Sequence, residues 1–279
     1  ELFYTTLAVT NNNIAFSDNA VHDVLKRSGI KQPKEQLNGA TEWFECDVET
    51  AKNAINAVKE NRLFLKGVEI TDKRTPIIFR KEQKDAINKA IKRFTTDKGE
   101  VRKTQRKMLW NAKMRFGKTL SALQVIKELD FRKTIIITHR PVVNDGWYED
   151  FYKIFYDQSD KYFYGSKTKG ATLEELLKYY EKGKHIIYFA SIQDLRGSSY
   201  LGKKYDKNDD VFNFEWDFVI VDEAHEGTLT DLGRSVIKEL RNSSKTTKIL
   251  YLSGTPYNIL SDDEIEFEPE EVYTWDYIM

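Results

Sequence analysis

Between residues 108 and 252 the chain carries five short, unbroken apolar runs, separated by stretches of helical periodicity. They are Met108-Leu109-Trp110, Thr134-Ile135-Ile136-Ile137-Thr138, His185-Ile186-Ile187-Tyr188-Phe189, Phe218-Val219-Ile220-Val221 and Ile249-Leu250-Tyr251-Leu252. A strand with no polar alternation has no face to offer to water, so it must be covered on both sides. Helical patterns at 119–128, 173–180 and 232–240 supply that cover. The expected class from residue 78 onward is α/β, a parallel sheet sandwiched by helices.

The first 66 residues read differently, as a small N-terminal α+β unit. Residues 2–9 suggest a strand, and 20–27 a helix with Val21, Val24 and Leu25 on one face. A short strand over 43–48 is expected to lead into a helix over 49–60 that buries Ala51, Ile55 and Val58. Charge and Pro76 mark a linker over residues 67–77.

Composition removes several classes. No apolar run approaches the ~20 residues that span a bilayer, and no basic-then-apolar opening marks a secretory signal. Cys46 is the single cysteine, which excludes an intramolecular disulfide and any multi-cysteine zinc site. The chain begins at Glu1 rather than Met, and the expectation is a piece of a longer intracellular, cytoplasmic protein. The formal net charge is zero, yet the charges are segregated. Residues 71–107 hold 13 Lys/Arg against 5 Asp/Glu, whereas 261–279 hold 8 acids and no base. The polar run 95–107 reads as a mobile surface loop, either a phosphate-backbone contact or a plain solvated loop. The acidic tail reads as a solvated linker.

Chemistry enters at Ala112-Lys113-Met114-Arg115-Phe116-Gly117-Lys118-Thr119. A small residue, four intervening residues and Gly-Lys-Thr lie between an expected strand and an expected helix, the context that a phosphate-binding loop requires. Backbone N–H groups of such a loop, with the N-terminus of the following helix, face an anion. Gly117 permits close approach, Lys118 brings a charge to the β and γ phosphates, and the Thr119 hydroxyl can ligate Mg²⁺. Ala112 replaces the usual first glycine, which a turn tolerates if φ stays negative.

Phe218-Val219-Ile220-Val221 runs straight into Asp222-Glu223-Ala224-His225. Two acids at the end of a buried strand are costly unless a cation meets them. At the carboxyl end of a parallel strand they face the same crevice as the phosphate loop. Asp222 is then the Mg²⁺-holding carboxylate, and Glu223 the group that orients and deprotonates the attacking water.

These residues resemble the DEAH box of superfamily 2 helicases and translocases, with the motor parts of type I and type III restriction enzymes as the nearest branch. The resemblance covers residues 78–279 and extends to further motifs in the family's order. Phe79-Arg80-Lys81-Glu82-Gln83 is similar to the Leu-Arg-Pro-Tyr-Gln segment that positions adenine, with Lys81 and Glu82 in place of Pro and Tyr. Thr138-His139-Arg140-Pro141 and Phe189-Ala190-Ser191-Ile192-Gln193 resemble the two segments that touch the nucleic-acid backbone. That implies a nucleic-acid role for His139, Arg140, Ser191 and Gln193. Leu252-Ser253-Gly254-Thr255-Pro256 resembles the segment that couples hydrolysis to nucleic-acid binding, implying a coupling role for His225, Ser253 and Thr255. The resemblance implies a RecA-like lobe, the first of two, that uses ATP and Mg²⁺. The second lobe, which carries the arginine finger, is expected to lie outside this chain. His185, which opens an apolar run, reads as structural.

In the front unit, Asp18-Asn19-Ala20-Val21-His22 and Thr41-Glu42-Trp43-Phe44 resemble the second half of a GIY-YIG-type nuclease domain, without its two tyrosine motifs or helical arginine. His22 and Glu42 would be the remnant of that site. The plain reading makes His22 a half-buried helix residue and Glu42 a strand-edge acid. The first functional reading is the ATPase lobe of a DNA translocase or helicase, fused to a nuclease-type domain and acting on duplex DNA in restriction or phage defence. The alternatives are an RNA helicase of the same superfamily and a nucleotide-responsive module that does not hydrolyse. An intact Glu223 argues against the last.

Overall fold

The computed structural model describes residues 4–11, 15–33, 43–60, 62, 64–65, 77–195, 208–224, 230–242, 244–255, 260 and 265–276. His225, Glu42 and Pro256 fall outside that set. The chain divides into two compact units, Glu1–Pro76 and Ile77–Met279.

In the first unit, α1 (Asp18–Arg27) and α2 (Val48–Lys59) pack through Val24 and Leu25 against Ala54, Ala57 and Val58. Ala51 and Ile55, expected in this core, are half-buried. The expected strand over 43–48 does not form. Asp47 caps α2 by accepting the Thr50 N–H at 2.7 Å, and this cap commits Val48 to the helix. Of the expected strand over 2–9, Leu2 and Phe3 lie outside the described residues. The rest holds one isolated antiparallel bridge, Val9 to Ala15.

The second unit is built on seven strands. In chain order they are β1 (Lys107–Ala112), β2 (Lys133–Thr138), β3 (Tyr162–Ser166), β4 (His185–Ser191), β5 (Phe218–Asp222), β6 (Lys248–Ser253) and β7 (Val272–Trp275). Their order in the sheet is β3-β4-β2-β5-β6-β1-β7, and every pairing is parallel. Side chains alternate across it as period two requires. Ile136, Ile187, Ile220 and Leu250 face α3 (Lys81–Phe94), α4 (Lys118–Glu128) and α5 (Asn144–Phe155). Ile135, Ile137, Val219, Val221 and Ile249 face α6 (Leu173–Glu181), α7 (Asp209–Asn213) and α8 (Asp231–Asn242). Fully burying each aliphatic side chain contributes about 1.5–3 kcal/mol, so both layers are held firmly. This is a RecA-like α/β sheet.

All five expected strands are present, and β3 and β7 are additions. β3 is an aromatic edge strand, Tyr-Phe-Tyr-Gly-Ser, whose pattern carries no aliphatic run. At Gly165 a Cβ would lie 2.2 Å from the Ala171 carbonyl oxygen, so only glycine fits there.

β7 overturns the reading of the acidic tail as a solvated linker. Residues 272–275 add to β1 as a parallel edge strand. Glu271, 6% exposed, forms an ion pair with Arg93 and another with Lys107 at 3.4 Å. Lys89 donates to the Val272 carbonyl. The acidic segment thus meets the basic one.

The polar run 95–107, read as a mobile loop, is tied down as well. Arg102 donates to the Thr95 carbonyl at 2.6 Å. Arg106 donates to the carbonyls of Thr247, Arg241 and Ser244. Fully buried Lys248 donates to the carbonyls of Arg102 and Thr104. These cations satisfy backbone carbonyls at the amino edge of the sheet, opposite the loop that follows β1.

Candidate nucleotide-binding site

Sheet order brings the motifs together. β6 lies between β5 and β1. Ser253 and Gly254, at the end of β6, are therefore flanked by Asp222 on one side and by the loop after β1 on the other. All of these sit at the carboxyl edge, where open parallel sheets bind ligands.

The loop from Lys113 to Gly117 is held from three directions. Gln83, 9% exposed, accepts the Arg80 N–H at 2.9 Å and donates from Nε2 to the Phe116 carbonyl at 2.9 Å. The Arg80 guanidinium donates to the carbonyls of Arg115 at 3.0 Å and Phe116 at 2.6 Å. Phe79 packs half-buried against the core beneath. The Phe116 ring is fully buried and lies 5.3 Å from Trp275, 6.2 Å from Tyr273 and 6.5 Å from Trp110. Met114 stays exposed at the loop tip, as does Arg115, which adopts φ 65. Ala112 ends β1 without a positive φ. The left-handed turns fall instead on Arg115 and on Gly117, at φ 85.

Gly117 opens α4, which places Lys118 and Thr119 in its first turn. Lys118 Nζ donates to the Ala112 carbonyl at 2.8 Å and would lie 3.9 Å from a Cβ at Gly254. Burial lowers its amine from the ordinary lysine value, while the charges of Glu223 and Asp222 pull it back up. Thr119 is half-buried.

Asp222 is 8% exposed. Its Oδ1 accepts the Glu223 N–H at 3.0 Å, and its Oδ2 accepts the Trp147 indole N–H at 2.8 Å. Burial raises its carboxyl above the usual range, the Trp147 hydrogen bond opposes that, and the Glu223 charge adds to it. Glu223 takes φ 49, a left-handed conformation that costs a non-glycine residue of order 1–3 kcal/mol and tends to occur at functional sites. Ser253 is fully buried and accepts the N–H of exposed Thr255 at 3.2 Å.

The residues assigned to nucleic acid lie further along the same edge. Thr138 pairs in register with Asp222 on one side and Ser191 on the other. At ~4.8 Å per strand, β2 stands roughly 14 Å from β1. Arg140 is exposed, and its N–H donates to Thr138 Oγ1 at 3.1 Å. His139 Nδ1 and Gln193 Oε1 are buried without a hydrogen-bond partner. Ser191 is fully buried, and its hydroxyl donates to Asp194 Oδ2 at 2.7 Å, so it holds the turn. In the front unit, the His22 ring packs on Phe44 at 5.2 Å.

Sequence reasoning did not single out Trp147, or the aromatic pair Tyr273 and Trp275. Each acts on a partner far away in the chain, and no local spacing encodes such a pairing.

A parallel sheet with a strand–loop–helix turn and an acidic strand end beside it is the arrangement of a RecA-like α/β lobe. The chain belongs to the family described as type III restriction enzyme, res subunit, which matches residues 76–258. It is therefore restriction-related. No curated protein matches the chain. Among solved structures it is similar to the UvsW helicase from bacteriophage T4, at 17% identity over 71% of this chain and 60% of that one, TM-score 0.44. It is also similar to a nuclease-deletion mutant of the type ISP restriction-modification enzyme LlaGI in complex with a DNA substrate mimic. The identity there is 15% over 70% of this chain and 17% of that one, TM-score 0.45. The Hef helicase domain of Pyrococcus furiosus gives 16% identity over 70% of this chain and 38% of that one, TM-score 0.47. The chain thus spans less than two thirds of each of these proteins.

Proposed function

We propose that this lobe binds ATP with Mg²⁺ at the carboxyl edge of its sheet and uses hydrolysis to drive movement along duplex DNA. The observation that carries the reading is the β5–β6–β1 adjacency, which gathers Asp222-Glu223, Ser253-Gly254 and the Lys113–Lys118 loop around one crevice. The donor set fits the ligand. A loop with two left-handed residues exposes backbone N–H groups to an anion, and a half-buried lysine beside two carboxylates suits phosphates bridged by a hard cation. Among the described residues no group of three His, Cys, Asp or Glu gathers to hold a metal by itself, here or elsewhere. Mg²⁺ is typically held by one or two carboxylates together with substrate phosphates. Thr119 and Asp222 would hold it here, and the ion would neutralise charge on the phosphate oxygens.

Each side chain then has a defined task. Lys118 stabilises negative charge on the β and γ phosphates, and Glu223 takes the proton of the attacking water. Arg80 and Gln83 hold the loop in shape, with Phe79 packed beneath, on the side where adenine would sit. Ser253, Thr255 and His225 relay the state of the nucleotide. Arg140, with His139 and Gln193, meets the nucleic-acid backbone, and Ser191 supports that turn. The front unit, with His22 and Glu42, is the remnant of a nuclease-type domain. The whole would serve restriction or phage defence in the cytoplasm. No helix among the described residues is long and apolar enough to cross a membrane.

Nucleotide binding is tested by thermal melting. Mg²⁺·ATP at ~100 times its Kd adds about 2.7 kcal/mol, a melting shift of roughly 5–10 °C for a domain of this size. Lys118→Ala should abolish most of it, and an unchanged shift would refute the site. Hydrolysis is tested in the full-length protein. Duplex DNA should stimulate it more than RNA, and Glu223→Gln should lower turnover at least about a hundredfold with ATP binding intact. Stronger stimulation by RNA would make it an RNA helicase. Absence of turnover with either nucleic acid would make it a nucleotide-responsive module.

A further inference from the structure

The buried Asp222 carboxylate has an unusual supporting partner. Trp147, 1% exposed, lies in the first turns of α5 and directs its indole N–H to Asp222 Oδ2 at 2.8 Å, across 75 residues of sequence. An indole is a donor only, with one bond to give and no charge. It therefore fixes the plane of the carboxylate without neutralising it. Oδ1 is fixed separately by the Glu223 N–H at 3.0 Å. Both oxygens are held by neutral donors, which fix the orientation of the group for an incoming cation and bring no compensating charge of their own.

We propose that Trp147 is a positioning residue that sets the Asp222 carboxylate for the divalent cation of the nucleotide complex. This rests on the reading of Asp222 as the carboxylate that holds the metal. Supporting partners of metal ligands typically contribute about 10–100-fold in metal affinity.

Trp147→Phe keeps most of the ring and removes only the donor. Nucleotide binding in EDTA should be unchanged in this variant. With saturating ADP, the Mg²⁺ concentration for half-maximal thermal stabilisation should rise about tenfold or more over wild type. Asp222→Asn serves as the reference and should lose most of the Mg²⁺ response. A wild-type Mg²⁺ midpoint in Asp222→Asn would remove the metal-holding reading itself. A lost response there, with a wild-type midpoint in Trp147→Phe, would leave that reading standing and overturn the role of Trp147. If Trp147→Phe does not fold, the wild-type protein provides the measurement. Its five tryptophans can be labelled with ¹⁵N and Trp147 identified by exclusion, through Trp→Phe variants of the other four. The Trp147 indole N–H resonance should move when Mg²⁺ is added to the ADP complex. A resonance that stays in place overturns the proposal.

Discussion

A Cβ at Gly117 would lie 2.5 Å from Nε2 of Gln83, so α3 and the loop after β1 meet where any side chain at 117 would displace the Gln83 amide. The φ of 85° at Gly117 adds a second, independent constraint.

Gly117→Ala should therefore cost about 1–3 kcal/mol of stability and displace the Gln83 hydrogen bond to the Phe116 carbonyl. The double variant Gln83→Ala/Gly117→Ala separates the two causes. It relieves the clash and leaves the backbone strain, so the two losses should not add. Additive losses in urea unfolding would mean that the two residues do not press on each other.

Glu271→Ala should cost about 3 kcal/mol, because it strands Arg93 in a buried setting and leaves Lys107 without its carboxylate. It should also weaken ATP binding, since β7 carries the Trp275 ring that packs on Phe116. A loss below ~0.5 kcal/mol, as for exposed pairs, would show that the tail is only loosely attached.

Lys248 gives a pH dependence. Burial, reinforced by Arg106, Arg102 and Arg93, pushes its amine from the ordinary 10.5 down to about 8. Across that interval the unfolded chain binds more protons than the folded one, so stability rises with pH. Below about 8 both states are protonated and the penalty is constant. The stability difference between wild type and Lys248→Met, read from urea midpoints, should shift in favour of wild type between pH 8 and 10.5. A flat difference would mean that the amine keeps its ordinary value.

Arg140→Ala should weaken binding to unrelated duplex sequences equally and lower the magnitude of the log–log salt slope by about one. Anisotropy titrations at several salt concentrations measure both. Sequence-dependent loss, or an unmoved slope, would make Arg140 a structural residue.

The sequence by itself determined the middle of this protein. Strands buried on both faces must be continuously apolar, so Ile135-Ile136-Ile137 and Val219-Ile220-Val221 announced themselves. The placement of Gly117-Lys118-Thr119 at a strand–loop–helix turn and of Asp222-Glu223 at a strand end was legible because both are written in short local spacing. Tertiary structure alone decided the rest. β7 has no apolar run and sits among acids, and Glu271 is buried because the cations at Arg93 and Lys107 and the Glu268 N–H meet its carboxylate. Residues 97–101 and 103–105 are exposed, as their charge predicts, but only the tertiary structure anchors Arg102 and Arg106 on the carbonyls of Thr95, Thr247 and Ser244. Trp147 reads as an ordinary core aromatic, and its role appears only where α5 crosses the end of β5. Local spacing encodes periodicity and turn chemistry, whereas a hydrogen bond between residues 75 positions apart depends on how the helices lie across the sheet.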